Sequence, residues 1–126
     1  MKICFTVNSS PWSKFKGGGQ ITVHHLASAI SGKGHEVHVL YSKCRSERVK
    51  PPEVNYRIHW VRHFNMATIN LNIFSFAQTL SALAAQENFN IIHGNSEEAF
   101  FSSGVCRKHY VACFFTSHAP FIPRTG

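Results

Sequence analysis

The sequence predicts an α/β domain: a parallel sheet with helices on both faces. Two observations carry that expectation. Short apolar runs of strand length alternate with longer segments whose apolar residues recur at helix spacing, and a parallel sheet needs such crossovers. The 126 residues suffice for one hydrophobic core, and 44% apolar against 15% charged residues suits a packed globule and not a disordered chain.

Residues 2–7 (KICFTV) read as a buried strand because both faces are largely apolar. A polar, glycine-bearing stretch follows over residues 8–19, and then QITVHHLASAISGKG, where Val23, Leu26, Ala27 and Ile30 form an apolar helix stripe. Gly32 and Gly34 end that helix, with Gly32 free to take a left-handed cap. The second strand is residues 35–41, with Val37 and Val39 on one face and His38 and Leu40 on the other. Pro51 and Pro52 break the following basic loop before a strand over residues 54–61. The period predicts a helix over residues 71–86, burying Phe76, Leu80, Leu83 and Ala84. A short strand at 90–93 precedes a helix at 96–106, whose positive end Glu98 favours, and VACFFT at 111–116 is the last strong strand. Crossovers should be right-handed, and ligands should bind beyond the carboxyl ends of the strands where strand order reverses. The unusual loops, at 8–19, 93–96 and 117–120, all follow strand ends. The sheet edge left after the last strand has little cover, so the chain is expected to be part of a larger protein.

The four cysteines, Cys4, Cys44, Cys106 and Cys113, form no C-x-x-C pair, and reduced, buried thiols of a cytoplasmic protein are expected. No secretory pattern is visible at the start, and no stretch approaches the ~18 apolar residues of a membrane span. Asn8-Ser9-Ser10 fits a glycosylation sequon only formally in such a compartment. Thirteen Lys and Arg against six Asp and Glu give a formal charge of +7. The basic residues gather around Lys14 and Lys16, around residues 43–50, and at Arg107 and Lys108. A solvated surface, phosphorylated ligands or peripheral contact with an anionic membrane all suit that distribution, and the basic loop offers nucleic acid only non-specific attraction.

Gly17-Gly18-Gly19 lies between the first strand and the first helix, where glycines let the main chain approach an anion and free helical N–H groups attract it. It is no dinucleotide fingerprint, because Thr22 stands where a third glycine belongs and no acid ends the second strand. It is no P-loop either, since no G-K-[ST] follows. Nine histidines form no clear metal set: His24 and His25 are adjacent on a helix and diverge, and His59 and His63 lack the glutamate of H-E-x-x-H. His35 and His38 are expected in strand packing and edge hydrogen bonds. His118, in TSHAP, follows an apolar strand and can hold a sugar hydroxyl or move a proton. His93 and Asn95, after the preceding strand, are weaker sites for hydroxyl contacts, and Glu97 and Glu98 suit helix capping better than acid–base work. A serine hydrolase lacks its G-x-S-x-G elbow, and the phenylalanines, including Phe74, Phe76, Phe100 and Phe101, read as core.

These residues together resemble a known family. MKICFTV, a loop with GGG, and ITVHHLASAISGKGHEVHVL resemble the opening of the retaining glycosyltransferases of family 4, which pair two Rossmann-like domains in the arrangement called GT-B. NIIHGNSEEAF and CFFTSHAP resemble later strands of the same domain. The resemblance implies an incomplete N-terminal, acceptor-side domain over residues 1–126, with the C-terminal donor-binding domain absent. It implies transfer of a sugar from a UDP- or GDP-sugar substrate with retention, without a cofactor or metal, and little activity for this piece alone. Gly18 and Gly19 match the glycines that approach the donor diphosphate, and His118 matches the active-site histidine beside the donor sugar. His93, Asn95, Lys14 and Lys16 fall where a sugar, glycan or lipid-linked acceptor is met. The rival expectation is a stand-alone α/β module binding a glycan or phosphorylated ligand. A receiver-like domain is disfavoured because no paired acids follow the first strand.

Overall fold

A computed structural model describes residues 1–7, 10–12, 18–44, 52–63, 65–66, 69–70, 72–95 and 102–115. Its centre is β1 (Lys2–Val7), flanked on one side by β2 (Glu36–Cys44) and then β3 (Arg57–His63). Two residue pairs form a small antiparallel ladder, β4 (Asn65–Met66) and β5 (Ile69–Asn70). On the other side of β1 lie β6 (Ile91–Gly94) and, at the edge, β7 (Ala112–Phe115). The five-stranded sheet therefore runs β3-β2-β1-β6-β7, and every pair in it is parallel. Strand order reverses between β1 and β6, the switch point of a doubly wound, Rossmann-like sheet.

Among the described residues three helices cover the two faces. α1 (Gly18–Gly32) lies on one, and α2 (Asn72–Glu87) and α3 (Ser102–His109) lie on the other. β1 supplies both cores by strand alternation: Ile3, Phe5 and Val7 pack with Val23 and Ala27 of α1, whereas Cys4 packs with Phe76, Leu80 and Ala84 of α2. Val37 and Val39 face α1 and Leu40 faces α2, as the alternation predicts. Phe76, Leu80, Leu83 and Ala84 form the buried side of α2. The α1 stripe is narrower than expected. Val23 and Ala27 are buried and Ile30 packs against them, but Leu26, a turn's fraction off that axis, is 39% exposed.

Several boundaries moved for identifiable reasons. α1 begins at Gly18, so Gly18 and Gly19 open the helix and do not belong wholly to a loop. At its other end Gly32 remains helical, and Lys33 N–H and Gly34 N–H reach back to the carbonyls of Ile30 (3.1 Å) and Ser31 (3.0 Å). The left-handed residue is consequently Gly34, at φ +93°. β2 runs on to Cys44, and β3 starts three residues later and ends two residues later than expected, because the two pair residue for residue from His38–Arg57 to Cys44–His63. The last helix begins at Ser102, and residues 96–101 of its expected span lie outside the described residues, as do Glu97, Glu98, Phe100 and Phe101. Of the cysteines, Cys4 and Cys106 are buried, but Cys113 is exposed, contrary to expectation, because β7 is an edge strand with all four residues accessible. Burial pushes the Cys106 thiol up to about 12, helped by its contact with Cys113. Among the described residues no helix is long and apolar enough to cross a membrane.

Candidate functional site at the strand switch point

The carboxyl end of the switch point is built from the ends of β1 and β6. Parallel register sets Phe5 beside His93 and Thr6 beside Gly94. Strand alternation then turns His93 to the α1 face, where its ring lies 5.4 Å from that of Phe5 and is half-buried. Asn95, just past β6, is buried. Its main-chain N–H donates to the Thr6 carbonyl at 3.1 Å, and its side-chain Nδ2 donates to the same carbonyl at 3.1 Å and to that of His93 at 3.2 Å. One residue thus ties the end of β6 to the end of β1 and fixes the height of His93.

α1 follows β1, so its amino terminus returns to the same end of the sheet. Its first two residues are Gly18 and Gly19, which carry no side chain to stand over the main-chain N–H groups of the first turn, and that turn holds no acid to neutralise the positive end of the helix. An anion can therefore approach main-chain donors directly there. The structure brings His93, Asn95 and the opening of α1 to one end of the sheet. Lys14, Lys16 and His118 lie outside the described residues.

Sequence reasoning missed the scaffold beside this end. Tyr41, opposite Val7 in the register, shares a 2.9 Å hydrogen bond with the hydroxyl of Tyr56, which in turn lies 2.8 Å from His24 Nδ1 of α1. Trp12, in the connection from β1 to α1, sets its ring edge-on to His24 at 5.4 Å and to Tyr41 at 5.8 Å. These contacts hold residues 10–12 against the α1 face, and Ser10 is buried with them. Burial, with a smaller contribution from His25, lowers the His24 pKa, and burial raises those of Tyr41 and Tyr56. The rings of His24 and His25 do not diverge. They stand 5.4 Å apart, tilted by 49°, because both turn along the accessible flank of the helix. No sequence spacing signals this network, since its members come from positions 12, 24, 41 and 56.

The opposite, amino end carries a second polar group. Glu36, His38 and Glu87 each bring one metal-competent atom to within 4.8 Å of the others.

Residues 16–125 match the family model described as Glycosyltransferase Family 4. The chain belongs to glycosyltransferase family 4. No curated protein is similar enough in sequence to count as a match. Among solved structures, this family 4 chain resembles a sucrose-phosphate synthase from Thermosynechococcus elongatus, with a TM-score of 0.74 at 18% identity, covering 94% of this chain and 33% of that one. It also resembles a glycosyltransferase from Rickettsia africae, with a TM-score of 0.51 at 14% identity, covering 92% of this chain and 28% of that one. At such identities the likeness is one of fold. The family 4 chain spans about a third of the length of these structures.

Proposed function

We propose that the chain is the acceptor-side part of the N-terminal domain of a retaining glycosyltransferase, which moves a sugar from a UDP- or GDP-sugar to a sugar, glycan or lipid-linked acceptor. The observation that carries this reading is the convergence at the strand switch point: the glycine-opened helix α1 and the His93–Asn95 end of β6 share the end of the sheet where such folds bind ligands. Gly18 and Gly19 offer main-chain N–H groups to a diphosphate leaving group as its charge develops, with no metal required for that contact. His118 is the proposed catalytic residue, holding a donor-sugar hydroxyl. His93, Asn95, Lys14 and Lys16 are proposed on the acceptor side, Asn95 chiefly by fixing where His93 stands. The match to about a third of each solved structure supports a partner domain that binds the donor, and a cleft closed to water needs both halves. The working protein is proposed to be cytoplasmic, with its basic segments drawn to a membrane surface where the acceptor is a lipid.

The intact mass of the gene product in its native source is the first test. A mass several-fold above 14.2 kDa is expected. The full-length protein should then transfer label from a UDP- or GDP-sugar, while residues 1–126 alone should not. His118→Ala in the full-length protein should lower kcat by about a hundredfold or more, the order set by losing a positioned catalytic group. Unchanged kcat removes His118 from the site. A mass near 14.2 kDa, with glycan or phosphate-ester binding by the chain alone, favours the stand-alone binding module instead.

A further inference from the structure

At the amino end of the sheet β2 opens with Glu36, and His38 follows two residues later on the same face. Glu87, the last residue of α2, comes down beside them. This end is separate from the switch-point site: Lys2 and Thr6 of β1 mark the two levels, four residues or about 13 Å apart along a strand.

His38 is the unusual member. Its side chain is wholly buried, yet Nε2 has no hydrogen-bond partner, and the nearest acid oxygen, Glu36 Oε2, stands 3.7 Å away. That oxygen is also buried without a hydrogen bond of good geometry. The other ring nitrogen, Nδ1, is 2.8 Å from His59 Nε2, and the two rings stack at 5.1 Å, with Phe89 edge-on to His38 at 5.2 Å. In the tautomer whose Nδ1–H donates to His59, Nε2 turns a lone pair toward the Glu36 oxygen, so two electron-pair donors face one point that a cation can occupy. A ring nitrogen fixed by a hydrogen bond to a neighbouring group, with the opposite nitrogen left open, is how histidine ligates metal.

We propose that Glu36, His38 and Glu87 form a site for a divalent transition cation of the zinc class, bound in exchange with the Lys2 ammonium. Metal–ligand bonds of about 2.0–2.1 Å put tetrahedral ligands roughly 3.3 Å apart, so the 3.7 Å His38–Glu36 spacing needs little closure. Glu87, with its side chain 21% exposed, swings in to complete three protein ligands, leaving water as the fourth. In the metal-free chain Lys2 Nζ bridges the two acids, 3.3 Å from Glu36 and 3.5 Å from Glu87. Lys2 is 41% exposed, so it can withdraw into solvent, and such an accessible ion pair opposes the exchange only weakly. The two carboxylates match the charge of the cation, and Arg57 stays 3.8 Å from the second Glu36 oxygen. The bound cation clasps the start of β2 to the end of α2, away from the transfer chemistry.

Zinc chloride titrated into the chain by calorimetry in a non-chelating buffer, with cobalt(II) absorbance as the coordination readout, tests this. Glu87→Gln, a change at an accessible side chain, should weaken zinc binding by at least about tenfold and abolish the zinc-dependent rise in Tm. Lys2→Met should tighten binding by about tenfold, because the competing cation is gone. Equal affinity in Glu87→Gln would place the zinc on other histidines or on thiols and overturn the proposal. So would the absence of zinc binding to the chain, or weaker binding in Lys2→Met.

Discussion

At the residue scale, His24 shows how burial sets a chemical state. Its neighbours are Tyr56 at hydrogen-bond distance, the edge of Trp12, and the ring of His25, and its pKa lies below the ordinary 6.5 because burial and His25 disfavour the charged form. The unfolded chain takes up a proton at a pH where the folded chain does not. This contribution to stability is therefore complete above about pH 6.5 and is lost as pH falls from there through the depressed value. Urea midpoints should decline from about pH 7 to 5.5, and the decline should be shallower in His24→Gln. An unchanged slope would assign the effect to other groups. His93 was legible from sequence because it falls near the last residue of a short strand that follows a helix, which chain order alone puts at the carboxyl end of a parallel sheet. The Tyr41–Tyr56–His24 chain and the His38–Glu87 approach were not legible. Each joins positions 15 to 49 residues apart, and only the strand register decides which side chains meet.

Elements were legible where an apolar period ran for several turns or a whole strand, as in β1, α1 and α2. Their ends were less so, because capping depends on which hydrogen bond closes last. Two of the three described residues with positive φ make opposite predictions. Gly34 holds φ +93° with open space where a Cβ would lie, so Gly34→Ala should cost about 1–2 kcal/mol through backbone strain alone. Tyr110, at φ 56° after α3, caps that helix while Val111 N–H reaches the Cys106 carbonyl at 2.9 Å, and its side chain is 97% exposed. Tyr110→Gly should therefore stabilise by about 1 kcal/mol, since it relieves strain and removes little packing. Denaturant unfolding of both variants checks the pair. Equal signs would show that the dihedral is not what decides stability at these caps. The β4–β5 ladder had no sequence signal, being two residues on each strand.

At the scale of the whole molecule, sheet order leaves β7 at an edge with Phe114 56% and Phe115 62% exposed. An accessible apolar edge strand is a template for further pairing. Residues 1–126 should associate with rising concentration, and Phe115→Lys should hold them monomeric at concentrations where the parent sequence sediments as larger species. Unaltered association would locate the contact elsewhere. The alternation along β1 has a different consequence. Because Phe5 serves one core and Cys4 the other, the two interiors meet only through the backbone of a shared sheet. Side-chain changes beneath α1 and beneath α2 have few partners in common, so their costs should sum with little epistasis. A lineage can accordingly remodel one hemisphere of the domain while the other keeps its sequence, with the sheet strands β1, β2, β3 and β6 answerable to both.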